Sequence, residues 1–157
     1  MFSHAEGQST YAGVNSHAEG NQTYATATSH AEGYQTSAMT QFCHAEGNET
    51  LASGNQSHAE GYLTIANGVT SHAEGVGSIA SGGRAAHAEG YGSIASGDTS
   101  HAEGAGSIAG GTSSHAEGGN TQAIGDSSHS EGYGTIASGD TSHAGGYQSI
   151  SSGQYSF

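Results

Sequence analysis

The sequence predicts an all-β fold, a parallel β-solenoid of about eleven fourteen-residue turns. Three observations carry the prediction. All 11 histidines, His4, His17, His30, His44, His58, His72, His87, His101, His115, His129 and His143, fall in one register, separated by 13, 13, 14, 14, 14, 15, 14, 14, 14 and 14 residues. Self-similarity at a fixed short period marks an array whose units bury their inner faces only by stacking on one another. A fourteen-residue unit with two glycine-marked corners is too short for a helical repeat and suits two short strands. Third, the 157 residues contain 28 glycines, no proline and only 32% hydrophobic residues, too few for a conventional core but enough for a narrow stacked one.

The whole chain, residues 1–157, reads as a single repeat domain with turns starting near Ser3, Ser16, Ser29, Cys43, Ser57, Ser71, Ala86, Ser100, Ser114, Ser128 and Ser142. The stretch SHAEGVGSIASG from Ser71 to Gly82 serves as the type turn. Successive residues of a strand point to opposite faces, so Ser71, Ala73 and Gly75 of the first strand share one side. Tyr34, Tyr62, Tyr91, Tyr133 and Tyr147 line the corner that follows. Ser78, Ala80 and Gly82 form the matching set of the second strand. These small columns are expected to face a lumen too narrow for larger groups, with stacked hydroxyls bonding to the backbone or to each other. Cys43 stands at the inward serine position as a small filler, and as the only cysteine it forms no intrachain disulfide. Its reactivity is expected to be low.

The opposite parity puts His72 and Glu74 on the outer face of the first strand and Ile79 on that of the second. The second face carries an apolar column, Leu51, Ile65, Ile79, Ile94, Ile108, Ile136 and Ile150, interrupted by Gln122. An exposed apolar ladder of that length favours association. The corners are expected to absorb the irregular spacings, losing a residue in each 13-residue spacing from His4 to His30 and gaining one near Gly83 and Arg84. Eleven turns stacked at about 4.8 Å make a rod roughly 50 Å long.

Ten histidines have a glutamate two residues on: Glu6, Glu19, Glu32, Glu46, Glu60, Glu74, Glu89, Glu103, Glu117 and Glu131. The two side chains leave the strand about 6.6 Å apart and recur about 4.8 Å away in the next turn. A solvated column of like carboxylates repels along its length, so compensation is expected. Protonating all 11 histidines would carry the formal charge from -13 to -2, so the two columns nearly cancel. The plain reading leaves this face exposed to solvent and merely soluble; two other arrangements supply a partnership. One buries the face between subunits as charge-assisted His–Glu hydrogen bonds, each glutamate raising the proton affinity of its histidine. The other gives symmetry-related imidazoles to a divalent metal on a threefold axis, with His72, His101 and His115 as the subset considered; no cofactor is otherwise required.

Several function classes are excluded. With no lysine and one arginine, Arg84, the chain lacks the basic footprint for nucleic acid or anionic lipid. No 18-residue apolar run exists and no targeting signal is visible, so no membrane contact is expected within this segment. Ser, His and Glu recur together, but a catalytic triad is one constellation with a cleft, and an eleven-fold ladder offers no unique site. There is no H-E-x-x-H, P-loop or calcium-binding nonapeptide. No catalytic residue is expected, and the chain is read as non-enzymatic.

The type turn SHAEGVGSIASG resembles the head repeat of YadA-like trimeric autotransporter adhesins, S-V-A-I-G-x-x-S-x-A-x-G, and the likeness runs from Ser3 to Gly153. The resemblance implies a left-handed parallel β-roll assembled as a tight homotrimer. In that family the valine and isoleucine point to the trimer interior, and His72 and Glu74 take those two places here, as do the equivalent pairs and His143 elsewhere. An ionisable seam thus replaces an apolar one. SHAEG-type repeats also look like segments of phage tail fibres. The implied role is a structural or adhesive head segment on a bacterial cell surface or a virion, presented to a host-surface or matrix ligand. The alternative is a monomeric solenoid binding a repetitive surface, ice or a glycan, through an outer ladder. Phe157 falls where the next histidine would stand, and Gly145 replaces the last glutamate, which reads as a segment cut from a longer array.

Overall fold

The computed structural model describes residues 2–157. Each turn contributes one long strand and one two-residue strand, as in His72–Val76 followed by Ile79–Ala80. Ten of the long strands have five residues, and the last, His143–Ala144, has two. The long strands form one 11-stranded sheet and the short ones a second, each ordered by chain sequence. All pairings are parallel and in register, with His on His, Ala on Ala and Glu on Glu, for example His101↔His115, Ala102↔Ala116 and Glu103↔Glu117. Among the described residues no helix is long and apolar enough to cross a membrane.

The lumen is built as parity dictates. Ala73, Ala80 and their equivalents from Ala18 to Ala137 are fully buried, and from Ser16 to Ser142 the residue preceding each strand, a serine or threonine except at Cys43 and Ala86, is buried with them. Ser57, Ser71, Ser100, Ser114 and Ser128 donate to the carbonyl three residues back at 2.6–2.7 Å, which closes the second corner. Ser78, Ser93 and Ser107 donate instead to the glycine carbonyl of the following turn at 3.2 Å. Ser130, which stands where other turns have alanine, is buried and shares a 2.7 Å bond with Thr135. Four inward threonines, Thr23, Thr36, Thr50 and Thr64, keep buried hydroxyls without partners. Cys43 is buried, and its thiol donates to the Thr40 carbonyl at 2.8 Å.

Gly75 departs from the expected inward set, because it is only half-buried. Its φ of +98° breaks the alternation, and a Cβ there would sit 2.2 Å from the Gly90 carbonyl oxygen of the next turn. Glycine is therefore required by close approach to backbone, not by lumen size.

The irregular spacings are absorbed in corners, as expected, and the structure puts all of them in the second one. Every long strand starts seven residues before its short strand, whereas the step from short strand to next histidine varies. The inserted residue is accommodated by an isolated bridge between Val69 and Arg84.

Candidate functional site

In-register pairing of parallel strands fixes the spacing of side chains on the outer face, so identical residues stack at the strand separation. From His30 to His143 the imidazoles are stacked face to face, with centroids 4.7–4.9 Å apart and planes within 2–9°. Only the His17–His30 step is edge-on, at 77°. The column is half-buried in the single chain: His72 keeps 35% and Glu74 44% side-chain exposure.

Nine glutamates, Glu6 to Glu117, lie beside the histidine of their own turn, with Nε2 to Oε2 separations of 3.2 Å at His4–Glu6, 3.4 Å at His72–Glu74 and His87–Glu89, and 4.0 Å at His115–Glu117. Hydrogen-bond geometry is met only near the ends, at His4–Glu6, His17–Glu19 and His143–Glu131. The eight intervening Nε2 atoms, from His30 to His129, are buried between stacked rings and have no hydrogen-bond partner. Toward the C-terminal end the glutamates cross to the following turn: Glu117 reaches His129 at 3.8 Å and Glu131 reaches His143 at 3.2 Å. Sequence reading missed this crossing. Its signal is Gly145, which leaves His143 without a carboxylate of its own.

Each neighbouring glutamate raises its histidine's proton affinity, as expected, yet in the single chain the net shift of five histidines is downward. His30, His44, His58, His87 and His129 are all held below the usual imidazole range, first by burial and then by neighbouring imidazoles. The glutamates pull the other way and are outweighed, because a stacked ring is desolvated on both faces while its carboxylate stays partly in water. The Glu103 carboxyl is pushed up, by burial first and then by hydrogen bonding with Glu117 and Glu89. Glu117 is held down, chiefly by its hydrogen bond with Glu103.

Four groups bring two imidazole nitrogens and a carboxylate oxygen within 4.8 Å: His58–Glu60–His72, His72–Glu74–His87, His87–Glu89–His101 and His115–Glu117–His129. Of these groups, found among the described residues, His72 belongs to two and His101 and His115 to one each. Beside the first three turns, where the second corner is shortest, a groove of about 440 Å³ is lined by Phe2, His4, His17, His30 and Phe42.

The second outer face carries Leu51 and the isoleucines in one paired, half-buried ladder, with Ile150 exposed at its end. The tyrosines at the first corner are exposed, and Tyr133 stacks on Tyr147 at 5.7 Å. The regular threonine and serine column lies inside the lumen.

Against curated proteins the chain finds no match. The YadA head domain repeat matches residues 59–85, 88–114 and 130–156, just over half of the chain. With its parallel two-sheet coil and its Ser–Ala–Gly skeleton, the chain belongs to the YadA head repeat family, a family of structural adhesin β-rolls.

Proposed function

We propose that this chain is the rod-like segment of a homotrimer, a structural and adhesive element of a bacterial surface adhesin or a phage tail-fibre-like protein, with the His–Glu column facing its two copies. The observation that carries this reading is the column itself. It runs the length of the rod in register, at the two positions the family turns toward the trimer interior, and a single chain leaves it half-exposed with most Nε2 atoms unpartnered. Buried polar atoms are costly unless partnered, so a neighbouring chain is the natural source of partners. The half-buried isoleucine ladder adds apolar area to the same association. A column of ionisable groups also fixes register between near-identical repeats, which apolar residues alone specify poorly.

Light scattering of the chain at neutral pH tests the proposal. A trimer mass is expected, and a monomer mass refutes it. The monomeric ice-binding alternative is disfavoured because its threonine column faces inward.

A further inference from the structure

We infer that the in-turn His–Glu pairs form binding sites for a borderline divalent cation of the zinc, cobalt or nickel class, each ion held by one imidazole Nε2 and one carboxylate oxygen of the same turn. The inference is independent of the trimer reading, since both ligands come from one chain.

The distances carry the argument. A charge-assisted hydrogen bond between imidazole and carboxylate needs about 2.7–2.9 Å and near-linear approach. The central pairs stand at 3.4–4.0 Å and are misaligned for it. A tetrahedral ion with nitrogen and oxygen ligands at about 2.0–2.1 Å sets those ligands about 3.4 Å apart, with the ion off the line joining them. The two shortest central pairs, His72–Glu74 and His87–Glu89 at 3.4 Å, match that edge. They fail as hydrogen bonds by angle, since His17–Glu19 bonds at the same 3.4 Å, while the other central pairs, at 3.7–4.0 Å, lie slightly beyond the edge.

The unpartnered Nε2 atoms are a second observation pointing the same way. Eight consecutive nitrogens are withheld from solvent and from hydrogen bonds, and neutral imidazole nitrogen is the commonest protein ligand for this class of ion. The stacking also decides which donors share an ion. Rings parallel within 2–9° aim their in-plane lone pairs along parallel lines, so two imidazoles 4.7–4.9 Å apart do not converge on one ion without unstacking. Each site therefore draws its imidazole from one turn, and water or a partner molecule completes the coordination. Divalent charges on successive turns would stand only about 4.8 Å apart, so occupancy of alternate turns is expected, fewer ions than the nine in-turn pairs.

The test is calorimetric titration of the untagged, chelator-treated full chain with zinc chloride, beside a variant with all ten column glutamates changed to glutamine. Several zinc ions per chain are expected, with affinity falling at least tenfold in the glutamine variant. Binding of unchanged stoichiometry and affinity in that variant, or no zinc binding by the natural chain, overturns the proposal. If the variant loses its β circular dichroism, cobalt(II) substitution of the natural chain decides instead. An intense tetrahedral visible spectrum supports the site, and a spectrum identical to cobalt in buffer overturns it. Light scattering on the same samples reads association separately: a monomer that binds zinc through these pairs refutes the trimer alone, and a trimer indifferent to zinc refutes the cation site alone.

Discussion

Replacing Gly104 with alanine tests the claim that the glycine after each His-x-Glu is dictated by backbone contact between turns. Gly104 has a φ of +100°, and an added Cβ would lie 2.1 Å from the Gly118 carbonyl oxygen and 3.0 Å from its carbon and nitrogen. The obstacle is backbone, so relief requires the two turns to separate locally. The unfavourable φ costs about 1–3 kcal/mol, and loosening two or so ladder hydrogen bonds adds about 1–3 kcal/mol more. Gly104→Ala should therefore destabilise by roughly 2–6 kcal/mol. Gly92 supplies the control. Its φ is +63°, but a Cβ there meets nothing within 4 Å. Equivalent positions already hold Gln22, Glu49 and Asn120 at φ of 54–58°. Gly92→Ala should cost only about 1–2 kcal/mol, the price of the left-handed conformation. Because a solenoid can melt locally, urea unfolding should be paired with amide hydrogen exchange of the turns around His101–Ala105. Gly104→Ala that unfolds no earlier than Gly92→Ala, with unchanged exchange, would refute the steric account.

Two further outcomes are expected. Ala102 is fully buried and paired in the lumen between Ala88 and Ala116, so Ala102→Val should lower stability by about 1–3 kcal/mol in urea unfolding, whereas a neutral effect would show the lumen to be wider than described. In metal-free buffer, stability should fall as pH drops below about 6.5, because the unfolded histidines then bind protons that His30, His44, His58, His87 and His129 in the folded column resist. Thermal melts above and below that pH check the sign, and a melting temperature that rises on acidification contradicts it.

Much of the fold was legible because the chain repeats each position eleven times and so displays which properties a position tolerates. Strand parity alone placed Ala73, Ala80, Ser71 and Ser78 in the lumen, and the histidine spacing put the irregularities in the corners, though only the placed strands show that one corner takes them all. Parity failed at Gly75, since alternation assumes extended backbone with negative φ and this residue has φ +98°. Composition suggested that the His and Glu charges compensate, and the pairs are adjacent, yet the direction of the histidine shifts depends on ring desolvation, which no count of charges contains. The stacked geometry and the crossing of Glu131 to His143 likewise emerge only once side chains of successive turns are placed together.

The repeats also separate residues that the chain needs for itself from residues it does not. The exposed residue after the glycine of His-x-Glu-Gly runs Val76, Tyr91, Ala105 and Tyr133 in successive or later turns, so a position free of constraint has diverged. Glycine persists at Gly104 and its equivalents because a neighbouring carbonyl leaves no room for a side chain, and alanine persists at Ala102 because the lumen is narrow. The His–Glu column persists almost without exception while lacking any such internal reason. Its side chains are part-exposed, its central pairs form no hydrogen bonds, and burial works against its protonation. Alanine or threonine would serve a solitary coil as well. A requirement that the chain does not impose on itself must come from what the column meets, whether an ion or another copy of the rod.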